Sequence, residues 1–171
     1  MQLFKSYGAL LANDHSLSYG YSVMGWLNTW FGFEHNKNLV TLAGMIIFLI
    51  PMVKVSQYKH FHFKLLALAS ILVWVVIFNH RAESPTFIIA MVGVSLWFIK
   101  AEKNLLNIIL FIASCILTML SPTDIFPSQL RNEFVNPYAL KAFPCILIWI
   151  KIVYDMLFLQ GSKTPAALKS I

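Results

Sequence analysis

The sequence predicts an all-α fold: a polytopic membrane helix bundle of about five transmembrane helices plus an amino-terminal interfacial or re-entrant helix on the outer face. Three observations carry this expectation. The 171 residues are 58% hydrophobic and 12% charged, with a mean hydropathy of +0.70, whereas soluble domains sit near half apolar and a quarter charged. The apolar residues are gathered into runs such as ILVWVVI and FIIAMVGVSLWFI. The chain is basic, formally +6, and its lysines fall between those runs. That pattern is a topology signal; a nucleic-acid patch would cluster its charge, so nucleic acid is not an expected partner.

Residues 1–37 read as an outer-face loop. Its start, MQLFKSYGALLAND, has a short apolar run interrupted by Lys5 and no persuasive cleavage site, so it is not a signal peptide and Met1 reads as an internal methionine of a longer protein. Within this loop, SLSYGYSVMGWLNTWFGF (16–33) places Val23, Leu27, Trp30 and Phe31 on one helical stripe, with Trp26 nearby. Ser22 suits the start of that helix and Gly32 its end. The segment is too short and too rich in Tyr and Trp to span, so an interfacial helix is expected.

Five runs follow as candidate spans: 38–53, 62–79, 85–99, 104–120 and 137–159. A hydrocarbon core about 30 Å thick calls for about 20 residues per helix. Several runs are shorter, so their ends must enter the interface or open into a protein cavity. Residues 160–171 form the tail. Lys54, Lys59, Lys64, Lys100, Lys103, Lys163 and Lys169 fall on alternate connections, against Lys5, Lys37, Arg81 and Arg131 on the others. The bias places the carboxy terminus in the cytoplasm. It gives the amino-terminal segment, the turn FNHRAESPT (78–86) and the 121–136 loop a shared outer face.

That turn concentrates polar groups in a chain that has few. Ser84 and Pro85 suit the start of the third span, and Asn136 and Pro137 repeat the pattern before the last. Two helix amino ends would then favour an anion on the outer face. Arg81 sits beside one end and Lys141 one turn inside the other. Asn79, His80, Arg81, Glu83 and Lys141 are therefore candidates for holding a phosphate. The plainer alternative is a hairpin reaching lipid headgroups, with Arg81 snorkelling or pairing with Glu83. Asp14, His15 and Asp124 are outer-loop candidates for relaying a proton or holding a sugar hydroxyl, or else solvated loop residues.

Lys151 and Asp155, one turn apart, are expected to neutralise each other. His35, His60 and His62 read as interface residues, and HFH has no third ligand at a useful spacing, so no metal site and no cofactor are expected. Cys115 and Cys145 lie inside apolar runs and read as free thiols.

Taken together, DHSLSYGYSVMGW (14–26), FNHRAESPTFIIAMVGV (78–94), LSPTDIFP (120–127) and NPYALKAFPCILIW (136–149) resemble the carboxy-terminal half of bacterial membrane proteins of glycosyltransferase family 87, in the GT-C class. The resemblance covers about Asp14 to Tyr154. It implies a hexosyltransferase, mannosyltransferase-like, that moves a sugar from a polyprenyl-phosphate donor on the outer side of the bacterial inner membrane. It implies the lipid bilayer, the lipid-linked sugar and the missing amino-terminal half as partners. The family's catalytic carboxylate lies in its first outer loop, so the resemblance assigns no catalytic residue to Asp14 or Asp124. The alternatives are a non-catalytic polytopic membrane subunit and a lipid or solute transporter. No Asp or Glu occurs in the first four runs, which counts against ion-coupled transport.

Overall fold

The computed structural model describes residues 19–33, 37–80 and 82–158. Expectations placed on Lys5, Asp14, His15, His35, Arg81 and the tail lie outside these residues. Among these described residues seven α-helices occur in chain order: α1 (Val23–Phe31), α2 (Lys37–Met52), α3 (Phe61–Ile77), α4 (Phe87–Lys100), α5 (Leu105–Ser114), α6 (Ser128–Leu130) and α7 (Phe143–Phe158).

In α1, Ser22 caps the start, its hydroxyl accepting from the Gly25 amide at 3.2 Å. Gly32 ends the helix in the left-handed region at φ 62°. The packed face is Met24 and Gly25 rather than the expected aromatic stripe, and Trp30 and Phe31 remain 51% and 69% exposed. Close packing explains the difference. A Cβ on Gly25 would lie 2.2 Å from the Gly20 carbonyl oxygen, so only glycine fits there.

The core is built on the antiparallel pair α3 and α4. Leu66, Ala69, Val73 and Val76 of α3 face Ala90, Val94 and Trp97 of α4, all buried at helical spacing. Gly93 sets their approach: a Cβ there would lie 2.7 Å from the Ala69 carbonyl oxygen. The buried side of α7 (Ile148, Trp149, Ile152 and Met156) lies across this pair. Asp155 is buried in that contact, accepting from the Trp97 indole at 3.2 Å and paired with Lys151, as the sequence spacing indicates.

The five-span membrane bundle is overturned: among the described residues, no helix is long and apolar enough to cross a membrane. Local breaks shorten three of the five runs. The run 137–159 spends its first residues on irregular turns, with Ala139 at φ 48°, and becomes helical only at Phe143. The run 85–99 begins in a 3-10 turn, Ser84–Thr86. The run 104–120 divides into α5, ten residues long, and a π-helical stretch, Cys115–Leu120. The longest helix among the described residues, α3, has 17 residues. At 1.5 Å per residue it extends about 26 Å, short of a hydrocarbon core of about 30 Å.

The exterior is nonetheless apolar. Leu39, Leu42, Ile46 and Ile50 of α2 are exposed, as are Leu105, Ile109 and Ile112 of α5.

Candidate functional site

Three separate stretches meet at one end of the bundle: residues 19–22 with α1, the turn at 78–87, and the segment 131–142. Gly20 makes the first junction. Its φ is +52°, and a Cβ would lie 2.7 Å from the His80 carbonyl oxygen and 3.5 Å from that of Ala82. Glycine meets both demands, the left-handed backbone and the close approach. Tyr21 makes the second, its hydroxyl donating to Asn136 Oδ1 at 2.9 Å. Trp30 makes the third, its indole donating to the Tyr138 carbonyl at 2.9 Å, while Trp26 stacks on Phe143 at 5.6 Å.

Lys141 lies at the centre. It is 3% exposed. Its ammonium donates to the Ser84 hydroxyl and stands 5.1 Å from the Tyr21 ring centroid and 6.0 Å from that of Phe87. Its main-chain carbonyl accepts from Thr118 Oγ1 at 3.0 Å. No carboxylate among the described residues pairs with it. Burial, and then the neighbouring positive charge of Arg131, push the Lys141 ammonium below its ordinary pKa. Tyr21 is raised by burial, an effect that Arg131 opposes.

Two hollows lie at this end of the bundle, with Tyr21, a neighbour of Lys141, lining the polar one. A polar one of about 370 Å³ is lined by Tyr19, Gly20, Tyr21, Asn28, Thr29 and Asn136. An apolar groove of about 320 Å³ runs between α2 and α7, lined by Val40, Gly44, Phe78, Ile146 and Trp149. The first turns of α1 separate them, with Val23 on the groove and Gly25 on the polar side.

The two helix amino ends expected to hold an anion are not arranged that way. Glu83, not Ser84, caps the 3-10 turn: its carbonyl accepts from the Thr86 amide at 3.0 Å and its amide donates to Thr86 Oγ1 at 3.0 Å. The carboxylate of that residue repels an anion. Asn136 ends a π-helical stretch, Arg131–Val135, instead of starting a helix, and Lys141 precedes α7 rather than lying inside it. Positive charge at the site therefore comes from Lys141 and Arg131.

Of the other expected residues, Asn79 and Glu83 are exposed and His80 is half-buried in the turn. The Ala82 amide donates to the Asn79 carbonyl at 3.0 Å, which closes that turn. Asp124 is exposed in the connection after the π-helical stretch and does not line the polar hollow. Among the described residues no cluster of metal-ligating side chains occurs. Sequence reasoning missed Tyr21, Ser84 as a side-chain partner, and Arg131. The available signal was their shared assignment to one face.

Compared with known proteins, the chain matches no family model, no curated protein and no solved structure.

Proposed function

We propose that this chain holds the donor of a glycosyl transfer, a polyprenyl-phosphate-linked hexose, and serves the donor side of a family 87-like glycosyltransferase at a bacterial membrane. The observation that carries the reading is the buried Lys141 ammonium, which has a hydroxyl and two aromatic faces for company and no carboxylate among the described residues. A buried charge without a counter-ion is costly. An anionic ligand supplies the missing partner, and Arg131 adds to the attraction.

The two hollows fit the rest of such a donor. Amides and hydroxyls of Tyr21, Asn28, Thr29 and Asn136 suit a neutral sugar, and the groove beside Phe78 and Trp149 suits an isoprenoid chain. In transfer, Lys141 and Arg131 would stabilise charge developing on the departing phosphate.

The second reading is a non-catalytic subunit that binds the same lipid. It draws support from the polar hollow, whose described lining offers no carboxylate to act as a base.

The test is equilibrium binding of a short-chain polyprenyl-phosphate mannose to the detergent-solubilised protein. Lys141→Met should weaken binding by about tenfold or more, the worth of a charge-assisted hydrogen bond. Lys64→Met, on an exposed site at the start of α3, should leave it unchanged. Equal binding by the parent and Lys141→Met would remove the donor assignment. Transfer of labelled mannose to an acceptor would separate the enzyme from the binding subunit.

A further inference from the structure

A second cleft lies at the Lys-rich end of the bundle, with a volume of about 290 Å³. Three elements build it: the 3-10 turn Val55–Lys59, the start of α3, and the end of α4 with the residues that follow. Gln57, His60, His62 and Lys100 line it, above an apolar floor that includes Phe63 and Leu66.

Among the described residues none of those four polar side chains has a hydrogen-bond or ion-pair partner, although all four converge on one cleft. Two carboxylates also reach the lining. Asp155 is already committed, accepting from Trp97 and paired with Lys151. Glu102 is exposed at the rim. Setting Asp155 aside, the lining sets Lys100 and two imidazoles against the single exposed carboxylate of Glu102. His62 feels this directly: burial, and then the positive charge of Lys100, lower its pKa, and only the weaker influence of Asp155 opposes them. A bound anion would offset the effect of Lys100 on His62.

We infer that this cleft is an anion site that takes a phosphate monoester, held by Lys100, His60 and His62. Two imidazoles, an ammonium and the Gln57 amide match the several oxygens and double charge of a monoester better than a single carboxylate. The apolar floor accommodates the first carbons of the ester group. A free phosphate ester and the headgroup of a phosphatidic acid share this chemistry. The site does not depend on the donor assignment, because Lys141 lies at the other end of α7 from Asp155.

The experiment is calorimetric titration of the full chain in neutral detergent with inorganic phosphate, glycerol 3-phosphate and dihexanoyl phosphatidic acid in turn. Binding of glycerol 3-phosphate marks a site for free esters, and binding of the phosphatidic acid alone marks a headgroup site. Either should weaken about tenfold in Lys100→Ser and in His62→Gln, tighten in Glu102→Gln, and persist in Lys141→Met. Circular dichroism of each variant reports whether it is folded. The inference is overturned if no phosphate monoester binds at millimolar concentration. It is also overturned if folded Lys100→Ser and His62→Gln both bind like the parent.

Discussion

Lys141 is a residue whose environment works against it. The fold buries its ammonium and places Arg131 near enough to depress its pKa. A lysine whose folded pKa lies below its unfolded value of 10.5 holds its proton less tightly when folded. Its penalty is therefore present in full below the folded pKa and fades as pH rises through that value toward 10.5. Lys141→Met should accordingly raise the melting temperature at pH 7 by about 2–4 °C, corresponding to about 1 kcal/mol. The gain should shrink on approaching pH 10. A scanning calorimetry series from pH 7 to pH 10 checks both statements, and a variant less stable than the parent at pH 7 would show that Lys141 is stabilised where it stands. A substitution that strengthens the fold while weakening donor binding is the signature of a side chain kept for binding.

Between helices, Gly93 governs the contact of α3 with α4. Its missing Cβ is what allows the α3 backbone at Ala69 and the Val73 methyl to approach. Gly93→Ala should destabilise by about 1–3 kcal/mol through overpacking, more than the roughly 1 kcal/mol gained from the better helix propensity of alanine. Denaturant unfolding measures the balance, and a stabilised variant would mean that the two helices can part without loss. The helices themselves were legible in the sequence, because Leu66, Ala69, Val73 and Val76 repeat at three- and four-residue spacing and Ser22 and Gly32 carry cap chemistry. The breaks were not. Ala139 adopts a left-handed backbone without being glycine, and the π-helical stretch at Cys115–Leu120 reads as ordinary apolar helix. Hydropathy averages over such positions, which is why 104–120 and 137–159 looked longer than the helices they form. The same effect displaced Lys141 from a helix interior to a turn.

Over the whole molecule, the unusual property is how much aliphatic surface faces outward. Leu39, Leu42, Ile46 and Ile50 form one exposed row along α2, and Leu105, Ile109 and Ile112 another on α5. Contiguous apolar surface of this kind marks a contact with lipid or with other apolar surfaces. Replacing Leu39, Leu42 and Ile46 together with glutamine should lower the detergent concentration needed to keep the protein monodisperse, read by light scattering. The melting temperature in detergent should change little, since exposed positions contribute little to packing. A fall of many degrees would place those side chains inside a packed interface. At this scale the candidate site was legible only as a neighbourhood. The sequence placed 14–26, 78–86 and 121–136 on one face, and the structure does join Tyr21, Ser84, Asn136 and Lys141. It could not show that Glu83 would occupy the helix start itself, because that depends on the reciprocal bond with Thr86.

Gly20 rests directly on the carbonyl of His80, and Tyr21, its neighbour, is tied to both Asn136 and Lys141. Residues 19–22 are thus pinned between the 78–87 turn and the segment that carries Lys141. A substitution that displaces Gly20 from His80 would therefore disturb the Tyr21 contacts with Asn136 and Lys141 as well.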